Sequence, residues 1–151
     1  RLSDQWEMMG DVSWTGWAKI PRLSIFRTNG TLLSNTEENW RNTVRVAFGG
    51  AYKYSDALKL RMGVAYDQTP VKDDFRTPRL PDSDRYWLSF GGQYKVSAAG
   101  AIDFGYTHIF VKDGTIRDNA GGGQSQALQG FLIGDYKNSV DILAVQYTHN
   151  F

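Results

Sequence analysis

Alternation of apolar and polar side chains at every second position, repeated in segment after segment, constrains this chain more than any other feature. Only an extended strand puts alternate residues on opposite faces. From Asn42, one parity reads Val44, Val46, Phe48, Gly50, Tyr52, Tyr54, and the other Thr43, Arg45, Ala47, Gly49, Ala51, Lys53. A helix would scatter both sets around its circumference. The next segment repeats the pattern, with Leu58, Leu60, Met62, Val64 and Tyr66 opposed to Lys59, Arg61, Gly63, Ala65 and Asp67. Tyr86 to Val96 and Ile102 to Phe110 alternate likewise, as do Trp6 to Trp17 and, less cleanly, Val140 to Phe151. This predicts about six strands, each near the length of a tilted membrane strand.

Composition supports that reading. Mean hydropathy is -0.45, and no apolar run approaches the ~18 residues a membrane helix needs. A barrel strand shows lipid only every second side chain, so its average hydropathy stays low. Aromatic residues make up 14% of the chain and glycine occurs 16 times, a mix suited to interfacial girdles and close-packed strands. A net charge of +1 gives no one-signed field to recruit nucleic acid, and the lack of cysteine excludes thiolate metal sites, disulfides and cysteine nucleophiles.

The connections alternate in length. Short turns are predicted at 55–57 and 97–100, and long polar loops at about 28–39, 71–84 and 114–129. Short turns at one end and long loops at the other mark an up-and-down outer-membrane barrel, with the short end periplasmic. Pro21, Pro70, Pro78 and Pro81 all lie near strand ends or in loops, where a missing N–H does little harm. The final segment, with Tyr147 on the apolar parity and a terminal Phe151, resembles the strand signal read by barrel-assembly machinery. The sequence opens at Arg1-Leu2-Ser3-Asp4 without a signal segment of its own, and six strands fall short of the 8 or so that closure requires. The expectation is therefore a C-terminal segment, residues 1–151, of a larger barrel domain whose earlier strands lie elsewhere.

One stretch is more specific. Val64-Ala65-Tyr66-Asp67-Gln68-Thr69-Pro70-Val71 is followed by Arg76-Thr77-Pro78-Arg79-Leu80-Pro81-Asp82-Ser83-Asp84-Arg85-Tyr86-Trp87-Leu88-Ser89. With Trp14-Thr15-Gly16-Trp17, Asn39-Trp40-Arg41-Asn42-Thr43 and Thr107-His108-Ile109-Phe110-Val111-Lys112-Asp113, it resembles the C-terminal half of the FadL/TodX family. The resemblance implies an all-β, antiparallel up-and-down transmembrane barrel of about 14 strands in the Gram-negative outer membrane. It also implies an N-terminal hatch, which would lie upstream of this chain. Hydrophobic compounds would be captured from outside and released sideways into the membrane.

Candidate residues follow from parity. Arg45, Arg61 and Asp67 fall on the predicted lumen face with Lys59. The arginines would either steer a fatty-acid carboxylate or pair with Asp67, Glu7 or Asp11 as wall structure. Trp17 and Trp87 share the lumen parity and are candidates for an apolar pocket, whereas Trp6 and Trp14 suit interfacial belts. Arg79, Asp82, Asp84 and Arg85 form a compact charged cluster, expected to be a loop lock because two carboxylates fall short of the ~6–8 oxygens calcium takes. Gly121-Gly122-Gly123 lacks the Gly-Lys-Ser/Thr of a phosphate cradle, and His108 and His149 lack metal-ligand spacing.

No nucleophile–base constellation, cofactor motif or metal motif occurs, so a non-enzymatic protein is expected. The leading expectation is a channel component for passive uptake of long-chain fatty acids or other hydrophobic compounds. Its partners would be outer-membrane lipid and, during biogenesis, the assembly machinery. The alternative is an outer-membrane receptor or structural protein whose long loops meet phage, bacteriocin or host surfaces. A soluble lipid-binding barrel is disfavoured by the apolar parity of Val44–Tyr54 and Tyr86–Val96.

Overall fold

A computed structural model describes residues 3–117 and 132–150. The alternating segments form the strands β1 (Trp6–Thr15), β4 (Thr43–Lys53), β5 (Leu58–Asp67), β6 (Arg85–Lys95), β7 (Gly100–Val111) and β10 (Ser139–His149). They pair antiparallel in one sheet, in the order β1-β4-β5-β6-β7-β10. Two hairpins stand apart, β2 (Arg22–Phe26) with β3 (Leu32–Glu37), and β8 (Gly114–Arg117) with β9 (Ile133–Tyr136). Of these, β3 and β8 fall in stretches expected to be polar loops. The first hairpin turns at Asn29-Gly30, where Gly30 takes φ +80° and the Asn29 side chain accepts from the Thr31 N–H at 3.0 Å.

The short turns repeat one device. Ser55 Oγ accepts from the N–H groups of Ala57 and Leu58, and Ser97 Oγ from those of Ala99 and Gly100. A serine hydroxyl thus does the work of a missing carbonyl in a tight turn. These turns pin the register, so that Val46, Tyr66, Tyr86 and Phe110 lie in one row and Arg45, Asp67, Arg85 and Val111 in the next. A slip of one residue would exchange the two faces.

The faces differ as the parity predicts. Phe48, Met62, Val64, Phe90 and Val145 are exposed on one side, bounded by the ring pairs Trp6–Tyr52 near the short turns and Tyr66–Tyr86 near the long loops. Apolar side chains left in the open between two aromatic rows are what a lipid-facing wall presents. One polar cluster interrupts this outward face, where Tyr106 Oη and His108 Nδ1 each lie 2.7 Å from Asp141 Oδ1. Polar groups at a membrane surface need such mutual satisfaction.

Trp17 departs from its expected position. Strand β1 ends at Thr15, and Trp17 begins a short 3-10 turn, Trp17–Lys19, where its ring meets Trp40 edge-on at 5.5 Å. Strand parity stops at the strand end, so it does not set the side on which this indole lies. Val71 and Ile116 are buried where β8 packs on the β5–β6 loop, a small core outside the main sheet.

Candidate lumenal wall and loop lock

The inward face carries two belts of charge. Near the long loops, Arg45 meets Asp11 at 3.3 Å and Arg85 meets Asp67 at 3.1 Å. Near the short turns, Lys59 pairs with Glu7, and Arg61 meets Asp103 at 3.3 Å, with Gln93 Nε2 donating to both Asp103 oxygens at 3.0 and 3.1 Å. Four cations meet four carboxylates in these pairs, while Lys53, paired with Asp56, and Lys95 add positive charge at the short-turn edge of the same face. Arg45, Arg61 and Asp67 are thus all placed in ion pairs, Arg61 with Asp103, a partner that sequence spacing does not reveal.

Between the belts the side chains are small. Ala47 and Gly49 on β4, Gly63 and Ala65 on β5, and Ser89 beside Trp87 on β6 leave a shallow cavity of about 260 Å³. Its rim is closed by Met9, Asp11 and Arg45. The indole N–H of Trp87 is shielded from solvent and has no hydrogen-bond partner. The cavity therefore offers apolar surface and one aromatic edge, flanked by paired charges.

The loop between β5 and β6 is locked by a denser network. Asp84 accepts from the Thr69 N–H at 2.9 Å and from Tyr66 Oη at 3.2 Å, and lies 3.5 Å from Arg41. Asp82 accepts from Thr69 Oγ1 at 2.6 Å and lies 3.5 Å from Arg85, which also holds Asp67. At the centre is Arg76, only 3% exposed, bonded to Asp82 O, Ser83 Oγ and Thr115 O and paired with Asp73 at 2.7 Å. Gly114 makes room for it, since a Cβ there would sit 2.6 Å from Ser83 Oγ. Asp82, Asp84 and Arg85 thus come together. Arg79 is exposed and stands outside the network, whose other cations are Arg41 and Arg76. The buried partner is set by a contact between residues 76 and 115, far apart in the chain and without a local signature.

Of the two residues of the terminal-strand signal, Tyr147 is exposed on the outward face, its hydroxyl 3.1 Å from His149 Nδ1. Phe151 and the triglycine lie outside the described residues.

The model of the family "Outer membrane protein transport protein (OMPP1/FadL/TodX)" matches residues 1–151. An outer membrane protein of Neisseria meningitidis serogroup B is 35% identical across 100% of this chain and 34% of its own length. The long-chain fatty acid transport protein of Escherichia coli K12 is 31% identical over 72% of this chain and 24% of its own length. Among solved structures, a Pseudomonas aeruginosa FadL homologue superposes with a TM-score of 0.85 at 31% identity, covering 99% of this chain and 33% of that one. The Pseudomonas putida toluene transporter TodX superposes at 0.60 with 17% identity over 100% of this chain and 32% of its own, a likeness of fold. The chain spans about a quarter to a third of the length of these relatives. An all-β meander with an apolar outer face, an inner face laced with ion pairs and this match along its whole length belongs to the OMPP1/FadL/TodX family of outer-membrane transport proteins, as part of the barrel wall.

Proposed function

We infer that this sheet lines part of an outer-membrane channel for passive uptake of hydrophobic compounds, long-chain fatty acids among them. The observation that carries the reading is the band of small residues and Trp87 between two belts of ion pairs. Paired charges exert little pull on an ion, while the band between them gives an apolar chain a smooth surface. A carboxylate head would be met by Arg45 or Arg61, both partly exposed, by exchange with Asp11 or Asp103. The remaining lumen contacts would come from the hatch and the strands outside this chain, and release would follow the concentration gradient. The reading involves no chemical step. Tyr147, in the last strand, is assigned with Phe151 to recognition by the assembly machinery.

The test is complementation by the full-length protein in a strain lacking its own fatty-acid channel. Growth on oleate and uptake of labelled oleate are expected, with uptake reduced by Trp87→Asp and by Ala65→Trp, which fills the cavity. Surface-displayed, folded protein with no uptake of oleate or toluene would leave the receptor reading, in which the locked loops are the functional surface.

A further inference from the structure

A second cavity, about 270 Å³ and polar, opens at the long-loop end of the sheet, beside the loop lock. Its walls carry four cations, Arg41, Lys72, Arg76 and Lys112, against three carboxylates, Asp73, Asp84 and Asp113. The carboxylates of Asp73 and Asp84 are occupied by Arg76 and by the donors of Thr69, Tyr66 and Arg41. Lys72 and Lys112 have no ion-pair partner among the described residues. An excess of positive charge at a cavity whose acids are mostly engaged calls for an anion.

Position narrows the anion. The Lys112 N–H bonds to the Asp84 carbonyl at 2.9 Å, extending the β6–β7 ladder by one step. Lys112 therefore continues the outward parity above Phe110, on the side that carries Tyr66, Tyr86 and Leu88. The Tyr66 hydroxyl, at the edge of that apolar surface, bonds to Asp84 in the cavity wall. The cavity thus sits just above the aromatic row at the extracellular rim, where headgroups of the outer leaflet lie.

We propose that this cavity receives a phosphate of an outer-leaflet glycolipid, held by Lys72 and Lys112, while the acyl chains of that lipid lie along the outward face of β5–β7. A phosphomonoester on an acylated sugar satisfies both features at once, the unspent ammonium groups and the apolar surface beneath them. A soluble anion uses only the first. The site faces the membrane and is independent of the cargo that crosses the lumen.

The test uses the full-length, delipidated protein in non-ionic detergent and native mass spectrometry with bisphosphorylated lipid A, the same lipid after enzymatic dephosphorylation, and inorganic phosphate alone. Retention of the phosphorylated lipid is expected to exceed that of the dephosphorylated one by about ten-fold or more. The Lys72→Ala/Lys112→Ala variant should remove the difference, and Lys72→Arg/Lys112→Arg should keep it. Asp113→Asn, which removes the carboxylate left without a partner, should strengthen retention. Folding of each variant is read from the heat-dependent shift in gel mobility typical of barrels. Equal retention of both lipids, no response to the alanine pair, or no gain with Asp113→Asn would overturn the proposal. Inorganic phosphate bound as tightly as the lipid would overturn it too, assigning the cavity to a soluble anion.

Discussion

Arg61 on β5 and Asp103 on β7 meet at 3.3 Å although a whole strand separates them. The strand between them, β6, places Gly91 opposite Arg61, so the guanidinium lies across bare backbone. Glu7 and Lys59 do the same across β4, over Ala51, which is 3% exposed. Small residues within the charged belt near the short turns thus have a consequence of their own. They let long charged side chains tie alternate strands together.

Gly91→Val should therefore be poorly tolerated. A Cβ at Gly91 would stand 2.6 Å from the Phe104 carbonyl oxygen, which is backbone and cannot swing away. The expected loss is about 1–3 kcal/mol of stability, with the Arg61–Asp103 bridge broken. At Gly105 the nearest atom to a Cβ is 3.9 Å away, so Gly105→Ala is the matched control. Denaturant unfolding of the reconstituted full-length protein measures both.

Removing Arg76 should open the loops and spare the barrel. Arg76→Ala strands the acceptors at Asp82, Ser83 and Thr115, and local opening should become easier by about 2–3 kcal/mol. Hydrogen exchange is expected to accelerate over 68–84 and 114–117, with β4–β7 unchanged. Equal acceleration in the strands would contradict a lock confined to the loops.

The two faces should respond oppositely to charge. Phe48→Lys places an ammonium in lipid near the middle of β4 and should cost about 2–4 kcal/mol, whereas Ala47→Lys points into the lumen and should cost about 1 kcal/mol or less. Single cysteines at Val44, Val46, Phe48 and Tyr52 should take a membrane-confined label, and one at Arg45 a water-soluble one. Uniform aqueous labelling would be incompatible with a lipid-facing wall.

In the turn between β4 and β5, the Lys53 hydrogen bond and charge hold the Asp56 carboxyl below its ordinary 3.8. A depressed value means the stability it lends is present above the ordinary pKa and lost as pH falls through the lower folded one. Comparison of wild type with Asp56→Asn should show a small difference in unfolding midpoint at neutral pH. It should shrink below about pH 4 and be weakened by salt, since the pair is exposed.

The strands of the main sheet were legible in the sequence because parity and burial report the same thing in a one-layer wall. Val44 and Arg45 declare their faces by chemistry alone. The hairpin β2–β3 was less legible, although Asn29-Gly30 is a strong turn signal, since Arg22–Phe26 is short and both its parities are exposed. The ties from Arg61 to Asp103 and from Glu7 to Lys59 depend on what stands between the partners, which no single segment encodes. Arg79 and Arg76 look alike in sequence, three residues apart. Packing against Thr115 and Gly114, with bonds to Asp82 and Ser83, makes Arg76 the buried one.

Every pairing in the main sheet joins strands that follow one another in the wall, and each short turn returns the chain directly beside itself. Such a wall is modular along its circumference. A change confined to an outer-rim loop leaves the strand order, and with it the lipid-facing surface, as they were.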